Sequence, residues 1–467
     1  MELGFETIGN ATVICYDRRP VLVTDPWVTS QAYFGSWTHT HVIPEEQLKS
    51  IDKCEFVWFS HGHPDHLNPY SVSRFQAKKI LLSDHYGNRI KDDLRAQGFD
   101  VTVLNDRVWT KLSEKIKVLS IADHNQDAIL LIDIGGTLVV NTNDASHSGW
   151  ERFVRRTVSQ YKRTFRLAIS GVGEADMCNF FDEGGQRILF LPEVSEVQLG
   201  QNISRHTDRL GIKFFIPFSS MHKYQREDSV WANRYIAKLD DYSRGYLSDH
   251  SEILPAYIRY DLITDKIEQI DPLETPDRVF STAHFGDNWS EALSGNEAAR
   301  AKSYFRKVEH LENSMDFINL RVGGEDNIIE LRSRKFDRGI TFEAPRKSLM
   351  TAITGEIFDD LMIGNFVKTT LHGKWGAGRL YPDFIPYVAK VADNGRAHSP
   401  AEIRAYRAFY RNSAPVDYIL NRIEQFGINK VMTSLSGDSK AMIFAKSFYN
   451  LIKRQSNRKV EVREIGE

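Results

Sequence analysis

The chain has 467 residues, 41% of them hydrophobic and 26% charged, with 60 Lys and Arg against 62 Asp and Glu. That length exceeds one ordinary core and favours two domains, while the formal net charge of -2 excludes a global field that would draw the chain to nucleic acid or an anionic membrane. No apolar run approaches the roughly 20 residues that membrane insertion needs, and the scattered Cys15, Cys54 and Cys178 do not make a disulfide framework.

The opening, Met1-Glu2-Leu3-Gly4-Phe5-Glu6, has neither the basic nor the apolar region of a signal peptide, so a soluble, cytoplasmic protein is expected. Residues 11–15 and 21–24 read as a hairpin of short apolar strands joined through Tyr16-Asp17-Arg18-Arg19-Pro20. A short helix over 45–51 leads into the apolar run Phe56-Val57-Trp58-Phe59, a buried strand. Strands over 79–82 and 101–104 flank a helix over 89–97. Strands over 129–132 and 138–140 flank Gly135-Gly136, a second hairpin signal. Strands mixed with helices in this order predict an α/β sandwich, two sheets covered by helices.

The character changes near residue 290, giving an expected division into residues 1–290 and a mixed, helical α+β unit over 291–467. Ser294 and Glu297 are spaced as a capping box for a helix running to about 312. Mixed strands follow up to Phe342. Ser399-Pro400-Ala401-Glu402 is another helix start, and residues 416–426 and 441–453 carry apolar stripes at helical spacing. Packing explains those stripes better than a cofactor does.

The segment richest in chemistry is His61-Gly62-His63-Pro64-Asp65-His66, which directly follows the strand 56–59. Three imidazoles and a carboxylate in six residues, aimed from one strand end, suit a borderline cation such as zinc; a polar loop rich in histidine is the plain alternative. A two-metal site also needs ligands from elsewhere. His124, Asp144 and His222 are candidates because each lies next to the end of an apolar strand. An ordinary surface or core histidine is the alternative for His124 and His222.

The order Asp25, His-x-His-x-Asp-His, His, Asp, His resembles the metallo-β-lactamase superfamily. That resemblance implies an αββα sandwich and two divalent metal ions, zinc first with iron or manganese as alternatives. His61, His63 and His124 then hold one ion, Asp65, His66 and His222 the other, and Asp144 bridges. Asp25 orients the loop through hydrogen bonds.

A further resemblance, to the lactamase-like part of CMP-N-acetylneuraminate hydroxylases, rests on several stretches. These are Thr24-Asp25-Pro26-Trp27, Ala32-Tyr33-Phe34-Gly35-Ser36-Trp37, residues 60–66, Val140-Asn141-Thr142-Asn143-Asp144, Ile216-Pro217-Phe218-Ser219 and residues 355–364. None of the three cysteines has a histidine two or three residues on, as the Rieske iron–sulfur domain of that family needs.

The expected activity is metal-dependent hydrolysis of a phosphate ester, lactone or related polar small molecule by a metal-bound hydroxide, with Asp65 or Asp144 accepting a proton. The alternative is an iron-dependent oxygenase acting on a nucleotide sugar, which alone calls for a separate redox partner. A homo-oligomer is compatible with either. His85 and His147 read as solvated side chains, with substrate contact or proton donation as the alternative, and the basic stretch 152–166 as a solvated helix face, with phosphate binding as the alternative. Gly171-Val172-Gly173-Glu174-Ala175-Asp176 is a turn or a substrate-hugging loop.

Overall fold

A computed structural model describes residues 1–467 except 30, 146–148, 170–178, 189–195, 332–335, 377–378, 421, 424–461 and 465–467. Two eight-stranded sheets form its larger part. The first runs, in spatial order, Lys266–Gln269, Ile258–Asp261, Leu3–Ile8, Thr12–Asp17, Pro20–Thr24, Phe56–Phe59, Lys79–Ser83 and Asp100–Leu104. The second runs Glu252–Ile253, Phe214–Pro217, Arg163–Ala168, Thr137–Asn143, Ala128–Ile134, Ile116–Ala122, Trp109–Lys111 and Val462–Glu464.

The inner faces of these sheets meet in one apolar core. Phe5, Val13, Leu22, Trp58 and Leu81 come from the first sheet, and Val118, Leu130, Val139, Phe165 and Ile216 from the second. Outside the first sheet lie the helices Glu45–Lys53 and Arg89–Ala96, which bury Ile51 and Leu94. Outside the second lies Glu151–Val158, which buries Phe153, Val154 and Val158. Many strands are buried on both faces, so they read as continuous apolar runs rather than alternating ones. This is the expected α/β sandwich.

Both predicted hairpins are present. Ile14 pairs with Val23 and Cys15 with Leu22. Gly135 and Gly136 turn the second hairpin at φ +56° and +92°, a left-handed pair that suits a two-residue turn. The capping box at Ser294 and Glu297 opens the helix Gly295–Lys307, and a 3-10 turn at Glu309–Asn313 follows in place of a continued helix. Ser399 and Glu402 cap Pro400–Ser413 in the same way. Residues 441–453 and 171–176, and His147 and Cys178, lie outside the described residues, as do residue 421 and the part of 416–426 beyond 423.

A second core belongs to a six-stranded sheet packed by the helices Gly295–Lys307, Arg346–Gly355 and Phe358–Ile363. Four of its strands, Phe317–Val322, Glu325–Glu330, Gly339–Glu343 and Lys368–His372, come from the C-terminal part. The other two, Phe180–Phe181 and Arg187–Ile188, come from the chain well before residue 290. Residues 180–181 and 187–188 thus join the sheet of the second core. No helix among the described residues is long and apolar enough to cross a membrane.

Candidate metal centre

The strands Pro20–Thr24 and Phe56–Phe59 run parallel as neighbours, with Thr24 opposite Trp58, so Asp25 and Ser60 leave the sheet side by side. Asp25 takes φ +40° there, and its Oδ1 accepts the Ser60 amide at 2.8 Å. The following loop closes into a helical turn: the amides of His66 and Leu67 donate to the His63 carbonyl. Asn68 fixes that turn, donating to the Pro64 carbonyl at 2.7 Å and accepting from the Ser71 amide at 3.0 Å. His61, His63, Asp65 and His66 are all buried.

Asp144 and Ser219 arrive from the second sheet, just past its parallel strands Thr137–Asn143 and Phe214–Pro217. Ser219 donates to Asp144 Oδ1 and sits 3.2 Å from His66 Nε2. The His66 ring is anchored on its other side, with Nδ1 3.1 Å from Asp25 Oδ2, and its Nε2 faces Asp65 and Asp144 at 3.4 Å each. A carboxylate behind an imidazole fixes the tautomer that leaves the opposite nitrogen free to ligate. Asp25 thus touches both the start of the loop, through the Ser60 amide, and the His66 ring.

Asp65 is held by two donors, Tyr33 Oη on Oδ1 at 2.5 Å and Asn10 Nδ2 on Oδ2 at 2.9 Å. Burial pushes its carboxyl up, but the charge and hydrogen bond of neighbouring His66, with the Tyr33 hydrogen bond, outweigh it and hold Asp65 well below the usual carboxylate range. Burial alone also pushes His66 down, yet Asp65, Asp144 and Asp25 together raise it. Tyr33 and Phe34 both lie in the left-handed region, at φ +48° and +58°. Such backbone is strained for aromatic residues and concentrates at functional sites.

The ligand-type atoms of His61, His66 and Asp144 lie within 4.8 Å of one another, as do those of His63, Asp359 and Asp360. The two groups adjoin, since His61 Nε2 is 2.9 Å from His63 Nδ1. His222 is fully buried, stacked on Trp37 at a centroid distance of 3.4 Å, and neither ring nitrogen has a hydrogen-bond partner. Burial pushes its pKa down to about 3 against the pull of Asp65 and Asp144, which leaves a neutral imidazole. Two orphaned nitrogens cost free energy in a dry interior. A cation shared with these carboxylates would take up one of the two nitrogens, so the residues present fit a metal.

The structure therefore gathers His61, His63, Asp65, His66 and Asp144, with His222 within electrostatic reach of the two aspartates. His124 stands outside both groups. Its Nδ1 lies 2.6 Å from Asp123 Oδ1, its side chain is half exposed, and it lines a separate cavity. The residue of that turn nearer the centre is Asp127, 3.9 Å from His61 Nε2. His85 contacts Tyr410 and lines a cleft beside His61 with Arg89. In the basic stretch, Arg152 approaches Asp417 at 3.8 Å.

Asp359 and Asp360 were not anticipated as site residues. Their signal in the sequence was only that they fall within residues 355–364, one of the stretches similar to the hydroxylases.

The sandwich is an α/β fold that carries a histidine-rich turn at one rim with carboxylates converging on it. No protein-family model matches the chain. It is 23% identical over 158 residues to the cytidine monophosphate-N-acetylneuraminic acid hydroxylase of Danio rerio, a match covering 31% of this chain and 27% of that protein. The chain thus spans less than a third of the length of that relative. Among solved structures, it is similar to an isothiocyanate hydrolase from Delia radicum gut bacteria, with a TM-score of 0.36, 14% identity, and coverage of 54% of this chain and 95% of the other. A metallo-β-lactamase fold protein of Bacillus subtilis gives a TM-score of 0.30 and 11% identity, covering 53% of this chain and 90% of the other.

Proposed function

We propose that this chain is a metal-dependent hydrolase of a small polar substrate, a phosphate ester or lactone. The observation that carries this reading is the meeting of His61, His66 and Asp144, from two sheets, beside a buried His222 whose ring nitrogens have no hydrogen-bond partner. A divalent cation bound there supplies Lewis acidity and makes water at the site a better nucleophile near neutral pH.

The chain's own groups divide the remaining work. Asp65 has both oxygens occupied by donors and serves as a fixed negative charge. Asp144 is the more open carboxylate, its side chain 21% exposed, so it is placed to take a proton from the attacking water and pass it to solvent. Ser219 holds its other oxygen.

Recognition of a part of the substrate remote from the reacting bond falls to the cavity of about 450 Å³ beside the turn 123–127, the turn whose Asp127 approaches His61. Arg107, Arg407 and Arg422 line it against one carboxylate, Asp123, so it favours an anionic group. Arg407→Ala is expected to raise KM about 10-fold or more for an anionic substrate with kcat little changed, as for a lost charge-assisted hydrogen bond. Steady-state kinetics on a panel of chromogenic phosphate esters and lactones checks this.

The deciding test is elemental analysis of protein purified without added metal, followed by turnover assays with and without oxygen. Zinc or manganese with oxygen-independent hydrolysis is the expected result, and activity is lost on chelation and regained on adding the metal. A second reading, an iron-dependent oxygenase acting on a nucleotide sugar with electrons from a separate protein, is favoured by the match to hydroxylases. Bound iron with oxygen consumption would replace the first reading by the second.

A further inference from the structure

Each imidazole of the loop 61–66 turns one nitrogen towards neighbouring ligand-type atoms and rests the other on a polar group. His61 presents Nε2 and has Ser60 Oγ 2.9 Å from Nδ1. His66 presents Nε2 to Asp65 and Asp144 and has Asp25 Oδ2 3.1 Å from Nδ1. His63 is reversed. Its Nδ1 lies 2.9 Å from His61 Nε2, and the nitrogen behind it, Nε2, lies 3.1 Å from Asp359 Oδ2. Two of these supports belong to the sandwich. The third comes from the short helix Phe358–Ile363 of the C-terminal unit.

His63 and Asp359 are both buried, and among the described residues no other side chain hydrogen-bonds the Asp359 carboxylate. A buried carboxylate with one imidazole for a partner recovers little of its lost hydration, so stability alone does not account for it. Holding a ring does. A neutral imidazole carries its proton on one nitrogen, and a carboxylate facing Nε2 keeps it there and leaves Nδ1 able to ligate.

The helix is fixed by contacts that do not involve this carboxylate. Ser36 Oγ donates to the Gly364 carbonyl at 2.6 Å, and Asn365 Nδ2 donates to Tyr224 Oη at 2.7 Å. Tyr224 pairs across its short sheet with Trp37, the residue on which His222 stacks. Phe366 lies under the Arg226 guanidinium, 3.9 Å from its centre. The C-terminal unit is thereby fastened to the same rim, and that docking sets Asp359 behind His63.

We infer that Asp359 is a positioning residue supplied by the C-terminal unit: it holds the proton of His63 on Nε2 and turns Nδ1 to the metal centre, so that docking of that unit completes the site of the sandwich. The inference rests on the metal-site reading above.

The test uses the full chain, metal-free and then loaded with Zn2+. In the Zn2+-loaded wild type labelled with 15N-histidine, two-bond 1H–15N spectra are expected to show His63, assigned by its loss in His63→Gln, with its proton on Nε2. That proton is expected to exchange with water about 10-fold more slowly than in Asp359→Ala. Calorimetric titration is expected to give Asp359→Ala a Zn2+ affinity about 10–100-fold below wild type. Asp359→Asn is expected to lose less, because its amide oxygen still accepts from Nε2. A purely structural role lowers the stability of the metal-free variant and leaves both the ring proton and the Zn2+ affinity of the folded protein unchanged, a result that overturns the inference. Should the variants not fold, the wild-type spectrum decides alone: a proton on Nε2 supports the inference and one on Nδ1 overturns it. Zn2+ bound equally well by wild type and Asp359→Ala removes the role of Asp359 and keeps the metal-site reading, whereas a wild type that binds no Zn2+ removes both.

Discussion

His66→Ala is expected to weaken metal binding by about 100-fold and to lower turnover at fixed metal by at least as much. Metal binding at a four-ligand site is worth on the order of 10–16 kcal/mol, so one ligand carries roughly 3 kcal/mol, or about two powers of ten. Of the residues proposed to hold the metal, His66 is the most firmly held in advance, with Asp25 behind Nδ1 and Ser60 Oγ 3.1 Å from the same nitrogen. Asp25→Asn separates positioning from ligation. The carboxylate now accepts the Ser60 amide on one oxygen and faces His66 Nδ1 with the other. An asparagine has one accepting atom at its tip instead of two and must turn its NH2 towards one of these two groups. If it faces His66, the imidazole must accept at Nδ1 and carry its proton on Nε2, the nitrogen needed for metal. If it faces Ser60, two donors collide. Either way metal affinity is expected to fall about 10–100-fold, with activity recovered at saturating metal. Isothermal titration with Zn2+ and kinetics at rising metal concentration measure both effects. An Asp25→Asn protein with wild-type affinity would remove Asp25 from the centre.

The parts of the site legible in the sequence are those made by neighbours along the chain. The loop from His61 to His66 is local, and an apolar strand directly before it sets its direction. Asp144 was legible for the same reason, following the strand Thr137–Asn143 at the rim that parallel strands share. His124 has the same local credentials, yet its strand belongs to an antiparallel hairpin whose turn bends the imidazole towards Asp123 and the arginine-lined cavity. Strand context tells that a side chain lies near a sheet end but not which way it points. Asp359 and Asp360 needed more: their place depends on how a second core docks on the first, a contact between residues almost 300 positions apart. The strands Phe180–Phe181 and Arg187–Ile188 escaped for a similar reason, being two residues long and paired only in the C-terminal sheet. Long, doubly buried strands such as Ala128–Ile134 were plain because seven consecutive buried positions leave a continuous apolar signal.

Arg226→Met is expected to be the most damaging substitution away from the metal ligands, costing about 3–5 kcal/mol of stability. The guanidinium is fully buried. It donates to both oxygens of Asp228 at 2.9 Å, to Asp287 Oδ2 at 2.8 Å and to the Phe34 carbonyl at 2.9 Å. Asp287 in turn accepts from the Ser348 amide at 3.0 Å and from Ser348 Oγ at 2.6 Å, at the start of the helix Arg346–Gly355. One cation thus ties the strained turn after Tyr33, the segment after His222 and the C-terminal unit. Methionine restores much of the volume over Phe366 but none of the five-donor fork, so Asp228 and Asp287 are left charged with one partner fewer. The energy lost is mainly that of stranded carboxylates rather than of missing packing. Replacing Asp287 by Asn together with Arg226 by Met is therefore expected to recover part of the loss, about 1 kcal/mol or more in a double-mutant cycle. Urea unfolding of the four proteins measures the cycle. The same variants report on function, because the Phe34 carbonyl lies one residue from the tyrosine that holds Asp65: Arg226→Met is expected to lose metal affinity as well as stability, whereas a cut confined to stability would show that the turn keeps Tyr33 in place without its arginine.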